Sequence, residues 1–589
     1  MNIRPLTFAG CFGWLHAASS GSLGVVMCAS WEYEASATRQ SWRVLADRLA
    51  GAGLPTLRFD YPGCGDSLGS SDAPGAFEAT LKSIGAACEA LRERTGVHRV
   101  ALVGLRLGAS MALLAAETLD VESVAMIRPV VRGKSYMAEQ RALARIVQTR
   151  EAPQVRRDAD PGALEVEGYR LGPESVERIV KIDLLASDRP APERVLIAGE
   201  PGSTQYDALR EKLVMRRAFV TRLDLAEVAG WAPVPVPVPP PLIDCDAIAA
   251  WLKSAATPQP LRPVEEPSLE TATFRETAMA FGPGRALTGI LCRPTRGRPE
   301  AERHAALFLN TGANSHIGAG RAAVFHARGL AERGITSLRM DILGVGDSAW
   351  TNEGPLSAIH HAERSRDVSE AIDELRALRL DEISLIGVCS GAFLAFQTAL
   401  ADPRVHRILL ANPQFWLPPT PEKLADPMKG AYGSTSGYLT KFMSMTTWRR
   451  MLGGELKLST LRGIAGELVE RLVSRARAAW QRAKAKCLRR SLGPGKLVDH
   501  LRQLEARGCQ VQLVLSEGDP ARETLAALLP GGDLGALDGL IRIVAAEGAD
   551  HAFVMRRTRE EFLELLSEFL GAPKDADMTR ASELREKAA

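Results

Sequence analysis

One motif occurs twice in the chain, 281 residues apart, and this long-range repeat constrains the fold more than any other feature. The first copy is DYPGCGDS at residues 60–67 and the second is DILGVGDS at residues 341–348. A second pair of matching segments follows them, GLRLG at residues 104–108 and GVCSG at residues 387–391. We therefore expect the chain to contain the same fold twice.

Each half alternates short strands, rich in Val, Ile and Leu, with longer amphipathic helices that end in glycine. This alternation is typical of a mostly parallel sheet with helices on both faces. The sequence thus predicts two tandem α/β domains, at residues 1–256 and 274–571. A linker rich in Pro and Glu at residues 257–273 would join them, and a charged, flexible tail would follow at residues 572–589.

Composition excludes several classes of protein. The net charge of +3 argues against a nucleic-acid-binding protein with a basic surface. No run of 18 apolar residues occurs, so a transmembrane segment is not expected. The nine cysteines form no C-x-x-C pair, and their odd number without a signal peptide indicates reduced thiols in the cytoplasm. We expect neither a metal nor a cofactor.

Cys389 is the candidate nucleophile. It lies at the centre of a Gly-x-Cys-x-Gly segment, between the strand-like ISLIGV and the helix-like AFLAFQTAL. Glycines two residues away on both sides let strand and helix backbones approach closely at a sharp turn. The turn would put the thiol at a helix N-terminus, which favours the reactive thiolate. The alternative is an inert buried cysteine.

An acid and a histidine follow Cys389 in the order that a nucleophilic triad of this kind requires. Asp519 ends the strand-like VQLVLSEGD, and His551 follows the strand-like IRIVAAEGAD. Both come directly after strands, so both are expected at the carboxyl edge of the sheet. The sequence predicts a Cys389–His551–Asp519 triad. The weaker alternatives at these positions are Ser390, Glu517 and Asp550.

At these residues the chain resembles the α/β-hydrolase superfamily. It is most similar there to the serine-aminopeptidase-like group, which includes hydrolases found with exosortase and polyketide gene clusters. The motifs that carry the resemblance are the two DxxGxGDS loops, the Gly-x-Cys-x-Gly turn, SEGDP at residues 516–520 and ADHAF at residues 549–553. Cysteine stands where the family usually has serine.

The resemblance also implies an oxyanion loop at residues 309–321, LNTGANSHIGAGR. Backbone N–H groups of Ser390, Gly312 and Ala313 would then form the oxyanion hole. The residues expected to contact substrate or an anion are His316, Arg321 and Trp448.

The first half has other residues at the three triad positions: Arg106, Glu200 and Trp231. Arginine is protonated at any working pH and cannot act as a nucleophile. The first half is therefore interpreted as a degenerate hydrolase domain. It would serve as a stabilising scaffold, or Arg106 would bind an anion or pair with Glu200.

The second half carries an insertion of 36 residues between the nucleophile and acid positions, at about residues 411–505. Hydrolases of this fold carry a cap here, so the resemblance implies a helical lid. Its stretch 471–490 holds eight basic residues and no acid. That stretch is a solvated helix face, a surface for an acidic acyl carrier protein or a CoA-type thioester, or a membrane-binding surface. Trp416 and Trp448 would line an acyl pocket or fill the core of the lid.

These features predict a cysteine-dependent enzyme of the thioesterase or acyltransferase type, which acts through an acyl-cysteine on an ester or thioester. The acyl group would be bound to a carrier protein or to CoA, in the biosynthesis of a secondary metabolite or polysaccharide. An esterase or lactonase on a free small molecule is one alternative. A non-catalytic partner or scaffold in a biosynthetic assembly is another. The sequence leaves the acyl group, the acceptor and the oligomeric state open.

Overall fold

The structure is a computed structural model that describes residues 3–18, 22–150, 162–233, 238–253, 268–295, 303–350, 361–418 and 496–571. Most of the predicted lid (419–495), most of the linker (257–267) and the tail (572–589) lie outside the described residues. No helix among the described residues is long and apolar enough to cross a membrane.

The described residues fall into two compact units. The first comprises those within Met1–Ile146, Ala159–Arg298 and Ala313–Ala358, and the second those within Val147–Asp158, Pro299–Gly312 and Ile359–Ala589. The first unit therefore contains the first half of the chain together with two segments of the second half.

An eight-stranded sheet forms the centre of the first unit. Its strands lie in the order β1-β2-β4-β3-β5-β6-β9-β10, with antiparallel pairing from β1 to β4 and parallel pairing from β4 to β10. The strands are β1 Ile3–Phe8, β2 Cys11–His16, β3 Leu23–Cys28, β4 Thr56–Phe59, β5 Arg99–Leu105, β6 Ser123–Ile127, β9 Arg194–Gly199 and β10 Phe219–Asp224, and a separate hairpin consists of β7 Leu164–Val166 and β8 Tyr169–Leu171.

Helices follow the strands of this sheet, as the alternating sequence pattern predicts. They are α1 Glu32–Gly51, α2 Ala76–Thr95, α3 Leu107–Ala116, α4 Gly133–Arg150, α5 Pro173–Val180, α6 Thr204–Met215 and α7 Leu242–Lys253. Leu45 and Leu49 of α1 and Ile248 of α7 pack with Val25 and Val103 of the sheet, and all five are fully buried. Burial of each such side chain contributes about 1.5–3 kcal/mol to stability, so this apolar layer fixes the helices on the sheet.

The first unit also contains the opening strands of the second half. Here β11, β12, β13 and β15 pair antiparallel in that order, and a helix precedes β15. The elements are β11 Leu269–Glu270, β12 Phe274–Phe281, β13 Leu287–Pro294, α8 Ala322–Glu332 and β15 Thr336–Asp341.

Five strands of the second unit pair parallel in the order β14-β16-β17-β18-β19. They are β14 His304–Phe308, β16 Glu382–Val388, β17 Val405–Ala411, β18 Gln510–Ser516 and β19 Arg542–Ala546. The helices of this unit are α9 Ser365–Ala377, α10 Ser390–Ala401, α11 Lys496–Ala506, α12 Ala521–Leu528 and α13 Arg556–Leu570. The parallel pairing gathers the ends of β16, β18 and β19 at one edge of the sheet.

The two DxxGxGDS loops have the same local structure. Gly65 has a φ of +49°, and a Cβ there would lie 2.1 Å from the Asp60 carboxylate. Gly346 has a φ of +56°, and its Cβ would lie 2.2 Å from Asp341. Only glycine lets the chain fold over the aspartate, whose side chain accepts a hydrogen bond from the backbone N–H of the next aspartate of the motif. This shared geometry explains why the motif recurs in both halves.

Within the first unit, the second aspartate of each loop forms an ion pair with an arginine from the other half of the chain. Asp66 lies 2.6 Å from Nη1 of Arg339, and Asp347 lies 2.9 Å from Nη1 of Arg58. The two arginines are themselves 281 residues apart in the chain, and all four side chains are buried. Removing one partner of a buried ion pair costs about 3–5 kcal/mol, so the exchanged pairs fix these segments against each other.

Candidate active site

Cys389 occupies a strained turn between β16 and α10. Its backbone has φ 56° and ψ −114°, in the left-handed half of φ space that side chains other than glycine rarely adopt. A Cβ at Gly387 would lie 2.2 Å from the Gly391 carbonyl oxygen, and one at Gly391 would lie 2.8 Å from the carbonyl of Asn310. The two glycines are therefore required for the turn, as the sequence motif indicates. The turn leaves the Cys389 side chain partly exposed at the start of α10.

The structure brings Asp519 and His551 into contact at the ends of β18 and β19. Nδ1 of His551 lies 2.6 Å from Oδ2 of Asp519, whose side chain is 6% exposed. Burial alone would lower the pKa of His551, but the carboxylate of Asp519 and the thiol of Cys389 raise that pKa well above its ordinary value. The imidazole thus has the surroundings of a proton acceptor that is stabilised once charged.

The alternative acids have other roles or positions. The carboxylate of Asp550 accepts hydrogen bonds from the N–H of Val554 at 2.9 Å and from the hydroxyl of Thr558 at 2.9 Å. It therefore caps the loop that carries the histidine. Glu517 is exposed. Asp519 is the acid in contact with the imidazole.

The predicted oxyanion-hole residues differ in what their N–H groups do. Ser390 begins α10, and the first N–H groups of a helix have no acceptor within it. The N–H of Gly312 donates to Oγ of Ser390 at 2.7 Å. Ala313 directly follows Gly312 and is exposed. The Gly312 donor is therefore held by a side chain of the nucleophile turn in this structure.

Two further residues next to Cys389 and His551 were missed by sequence reasoning. Oε1 of Gln414 lies 3.8 Å from Sγ of Cys389. Asn412 is fully buried and donates a hydrogen bond from its amide to the carbonyl of His551 at 2.8 Å. The repeat offered a signal for Asn412, because Asn-Pro at residues 412–413 corresponds to Arg-Pro at residues 128–129 in the first half.

The first half has the same turn, but the residue at its centre is an arginine, which cannot act as a nucleophile. Arg106 has φ 53° and ψ −118°, so its backbone conformation is nearly that of Cys389. Its guanidinium does not pair with Glu200, and that part of the hypothesis is corrected. Nη2 of Arg106 lies 3.1 Å from Glu34 and 2.7 Å from Glu139. The carboxylate of Glu34, on α1, is fully buried.

The other two degenerate positions are also occupied by structural contacts. Oε1 of Glu200 lies 2.6 Å from Nη2 of Arg128. Trp231 is fully buried, and its indole N–H donates to the carboxylate of Asp244 at 3.0 Å. No described side chain at these positions can act as a general base on a nucleophile, which agrees with the interpretation of a degenerate site.

His316 does not fit the expected role of a substrate contact. Its two ring nitrogens lie 2.7 Å from Asp341 and 2.8 Å from Asp66, and all three side chains are fully buried. Burial opposes the charged imidazolium, but the two carboxylates raise the pKa of His316 to about 10. His316 therefore completes the buried ion-pair network of the DxxGxGDS loops.

Arg321 does not fit that role either. Its guanidinium donates to backbone carbonyls of Gly63 and Gly65, at 2.7 and 2.6 Å, and of Ser67. The sequence signal placed it in an oxyanion loop, but the segment after Gly312 runs into the first unit and binds the first DxxGxGDS loop. Trp448, the third expected contact, lies outside the described residues. Trp416 is 1% exposed and packs edge-on against Phe396, so it belongs to the core.

Among the described residues, one group has ligand atoms close enough to hold a metal ion: His316, Asp341 and Asp347. Its charges are already paired, because Asp347 contacts Arg39 and Arg58 and both nitrogens of His316 face carboxylates. The group therefore forms an ion-pair network.

Several solved structures are similar to the chain at low identity. The chain is similar to Est1E from Butyrivibrio proteoclasticus, solved with ferulic acid bound, with 16% identity, a TM-score of 0.28, and coverage of 37% of this chain and 89% of that chain. It is similar to an esterase domain from Rhodothermus marinus, with 17% identity, a TM-score of 0.28, and coverage of 43% and 99%. It is also similar to carboxyl esterase 2 from Tuber melanosporum, with 14% identity, a TM-score of 0.30, and coverage of 53% and 90%. A search of the curated proteins found no match to the chain.

A family model described as "Alpha/beta hydrolase family" matches the chain twice, at residues 15–274 and 307–565. The two matches together cover most of the chain, and they correspond to the two halves that the repeat predicts. The chain belongs to the alpha/beta hydrolase family, with its fold present in two tandem segments.

Proposed function

We propose that the second half is a cysteine-dependent acyl-transfer enzyme in which Cys389 is the nucleophile, His551 the general base and Asp519 the residue that orients the imidazole. One observation carries the proposal: Nδ1 of His551 lies 2.6 Å from Oδ2 of Asp519, and Cys389, on the strained turn at the start of α10, is near enough to raise the pKa of that imidazole. Nucleophile, base and orienting acid in contact are the arrangement that activates a weak nucleophile.

The reaction proceeds in two halves. His551 takes the thiol proton, and the thiolate of Cys389 attacks the carbonyl carbon of an ester or thioester, so that a C–S bond forms. The tetrahedral oxyanion is stabilised by the N–H of Ser390 at the helix N-terminus. The C–O or C–S bond to the leaving group then breaks, and His551 returns the proton to that group. The product of this half is an acyl-cysteine thioester.

The acyl-cysteine is then released by a second nucleophile, which His551 deprotonates. Water gives hydrolysis, and an amine, alcohol or thiol gives transacylation. A thioester reacts slowly with water and readily with amines and thiols, so cysteine in place of the usual serine favours transfer. We do not extend the proposal to a carrier protein, because the basic stretch 471–490 that suggested one lies outside the described residues.

The test is the intact mass of the full chain after incubation with a panel of acyl thioesters and activated esters. We expect an acyl adduct on Cys389 in the wild type and none in Cys389→Ala. Cys64 is a control within the same chain, because it too is partly exposed. Unlike a reactive thiol, it has a pKa well above the ordinary value, raised by partial burial and by the charge of Glu32. An adduct that persists in Cys389→Ala, or none with any acyl donor in the wild type, would overturn the proposal.

A further inference from the structure

The side chain of Asn412 joins the two loops that carry the acid and the histidine. Asn412 directly follows β17 and is fully buried. Its Oδ1 accepts a hydrogen bond from the N–H of Ser516 at 2.8 Å. Its Nδ2 donates to Oγ of Ser516 at 2.8 Å and to the carbonyl of His551 at 2.8 Å. Because a backbone N–H requires an acceptor and a carbonyl requires a donor, only one orientation of the amide satisfies both loops.

Ser516 extends this connection on both sides. Its hydroxyl donates to the carbonyl of Asp550 at 3.1 Å, next to His551 in the chain. Its own carbonyl accepts the N–H of Asp519 at 3.2 Å. The backbones at Asp519 and His551 are therefore tied together by a buried network that is separate from the direct contact between the two side chains.

The first half has an arginine at the matching place. Arg128 follows β6 and has φ 49°, against 46° for Asn412. Nη1 of Arg128 donates to the carbonyl of Trp231 at 3.3 Å, which is the counterpart of the bond from Asn412 to His551. Its Nε also donates to the carboxylate of Glu200 at 2.7 Å. In both halves, a side chain at this place therefore hydrogen-bonds to the residue at the histidine position. In the first half the same side chain also binds the carboxylate at the acid position.

This difference gives a chemical reason for asparagine at residue 412. A neutral amide of this length binds the backbone of both loops and leaves the carboxylate of Asp519 to the imidazole. An arginine would compete with His551 for that carboxylate, as Arg128 binds Glu200. Buried hydrogen bonds to neighbours of a reactive group set its orientation, and around metal sites the loss of such bonds typically costs about 10- to 100-fold in affinity or activity.

We propose that Asn412 is a positioning residue that holds the backbone of His551, and with it the imidazole, between Asp519 and Cys389. The proposal rests on the proposed triad. Asn412 itself lies outside the triad and places its general base, His551. We expect this placement to be lost when the Nδ2 donor is removed.

The experiment measures the rate constant for alkylation of Cys389 by iodoacetamide between pH 5 and 9, by mass spectrometry of peptides from the full chain. Asn412→Asp keeps the shape and the positive φ but removes both N–H donors and turns a carboxylate oxygen towards the carbonyl of His551. We expect it to lower the rate at pH 7 by about tenfold or more and to move the midpoint of the pH profile upward. Asn412→Gly, which keeps the positive φ and removes the amide, is a second variant with the same expected result.

Two controls separate the failure of this proposal from the failure of the triad. His551→Ala must slow the alkylation of Cys389; if it does not, the proposed function is overturned and this inference with it. Arg128→Gln, at the matching place in the first half, is expected to leave the pH profile unchanged. If His551→Ala slows the reaction while folded Asn412→Asp and Asn412→Gly keep the wild-type rate and profile, the positioning role is overturned and the triad stands. A merely structural role would lower the melting temperature and leave the profile in place.

Discussion

The turns at Cys389 and Arg106 have nearly identical backbones, but their side chains differ in reactivity and in what surrounds them. Cys389 has φ 56° and ψ −114°, and Arg106 has φ 53° and ψ −118°. In the second half the thiol at the turn raises the pKa of His551, and in the first half the guanidinium at the turn is bound between Glu34 and Glu139. The strained turn is therefore maintained by its glycines and by strand-to-helix packing, with or without a reactive side chain. Backbone strain alone therefore does not distinguish the two turns, whereas the surroundings of their side chains do.

The largest expected effect tests whether catalysis belongs to the second half alone. We expect Cys389→Ala to lower turnover of an activated ester, such as a p-nitrophenyl ester, by at least about 10³-fold, because the acyl-enzyme can no longer form. Arg106→Met at the matching turn is expected to keep turnover per folded molecule within about threefold of wild type. It would also lower the melting temperature, because it leaves the buried Glu34 without its charge partner. Turnover lost equally in both variants would contradict the assignment of catalysis to the second half alone.

Local motifs made the turn at Cys389 and the contact between Asp519 and His551 predictable. The glycines around Cys389 and the strand-end positions of Asp519 and His551 are readable because each depends on a few adjacent residues. The tandem α/β architecture was predictable for the same reason, since strand and helix periodicity and the repeat are both patterns along the chain. The family match at residues 15–274 and 307–565 confirms it.

Long-range charge pairing was not predictable. Arg106 was expected near Glu200 because both occupy triad positions, yet its partner Glu34 lies 72 residues earlier in the chain. His316 follows Gly312 in the predicted oxyanion loop, yet it faces Asp66, 250 residues away. Buried charges find partners wherever the fold brings opposite charges together, and spacing along the chain does not encode that.

The acid positions of the two halves give the second comparison. Asp519 contacts an imidazole, whereas Glu200 contacts the guanidinium of Arg128. We expect Asp519→Asn to lower turnover by about 10²-fold, because the imidazole loses the charge that orients it and stabilises its protonated form. Glu200→Gln is the matched control and is expected to leave turnover unchanged. Equal losses in steady-state assays would mean that the first half contributes to the reaction.

The third comparison concerns the aspartates of the two DxxGxGDS loops, which His316 joins. Because Asp341 and Asp66 raise its pKa to about 10, the charged imidazolium stabilises the folded state. That contribution is fully present below the ordinary pKa of about 6.5 and is lost as the pH rises towards 10. We expect the melting temperature of the wild type to fall over this range more than that of His316→Gln, whose side chain does not titrate. Parallel pH curves for the two proteins would contradict the charged assignment.

The smallest expected effect concerns the two partners of Arg106. Glu34 is fully buried, whereas the side chain of Glu139 is 55% exposed. An exposed ion pair contributes about 0–1 kcal/mol, so we expect Glu139→Gln to change the free energy of unfolding by no more than that. The variant also tests the hypothesis that Arg106 binds an anion, because it frees one side of the guanidinium while Glu34 keeps the other. If Arg106 is a structural clamp, sulfate should stabilise Glu139→Gln and wild type equally in thermal unfolding. Stronger stabilisation of the variant would show that the Arg106 turn binds an anion.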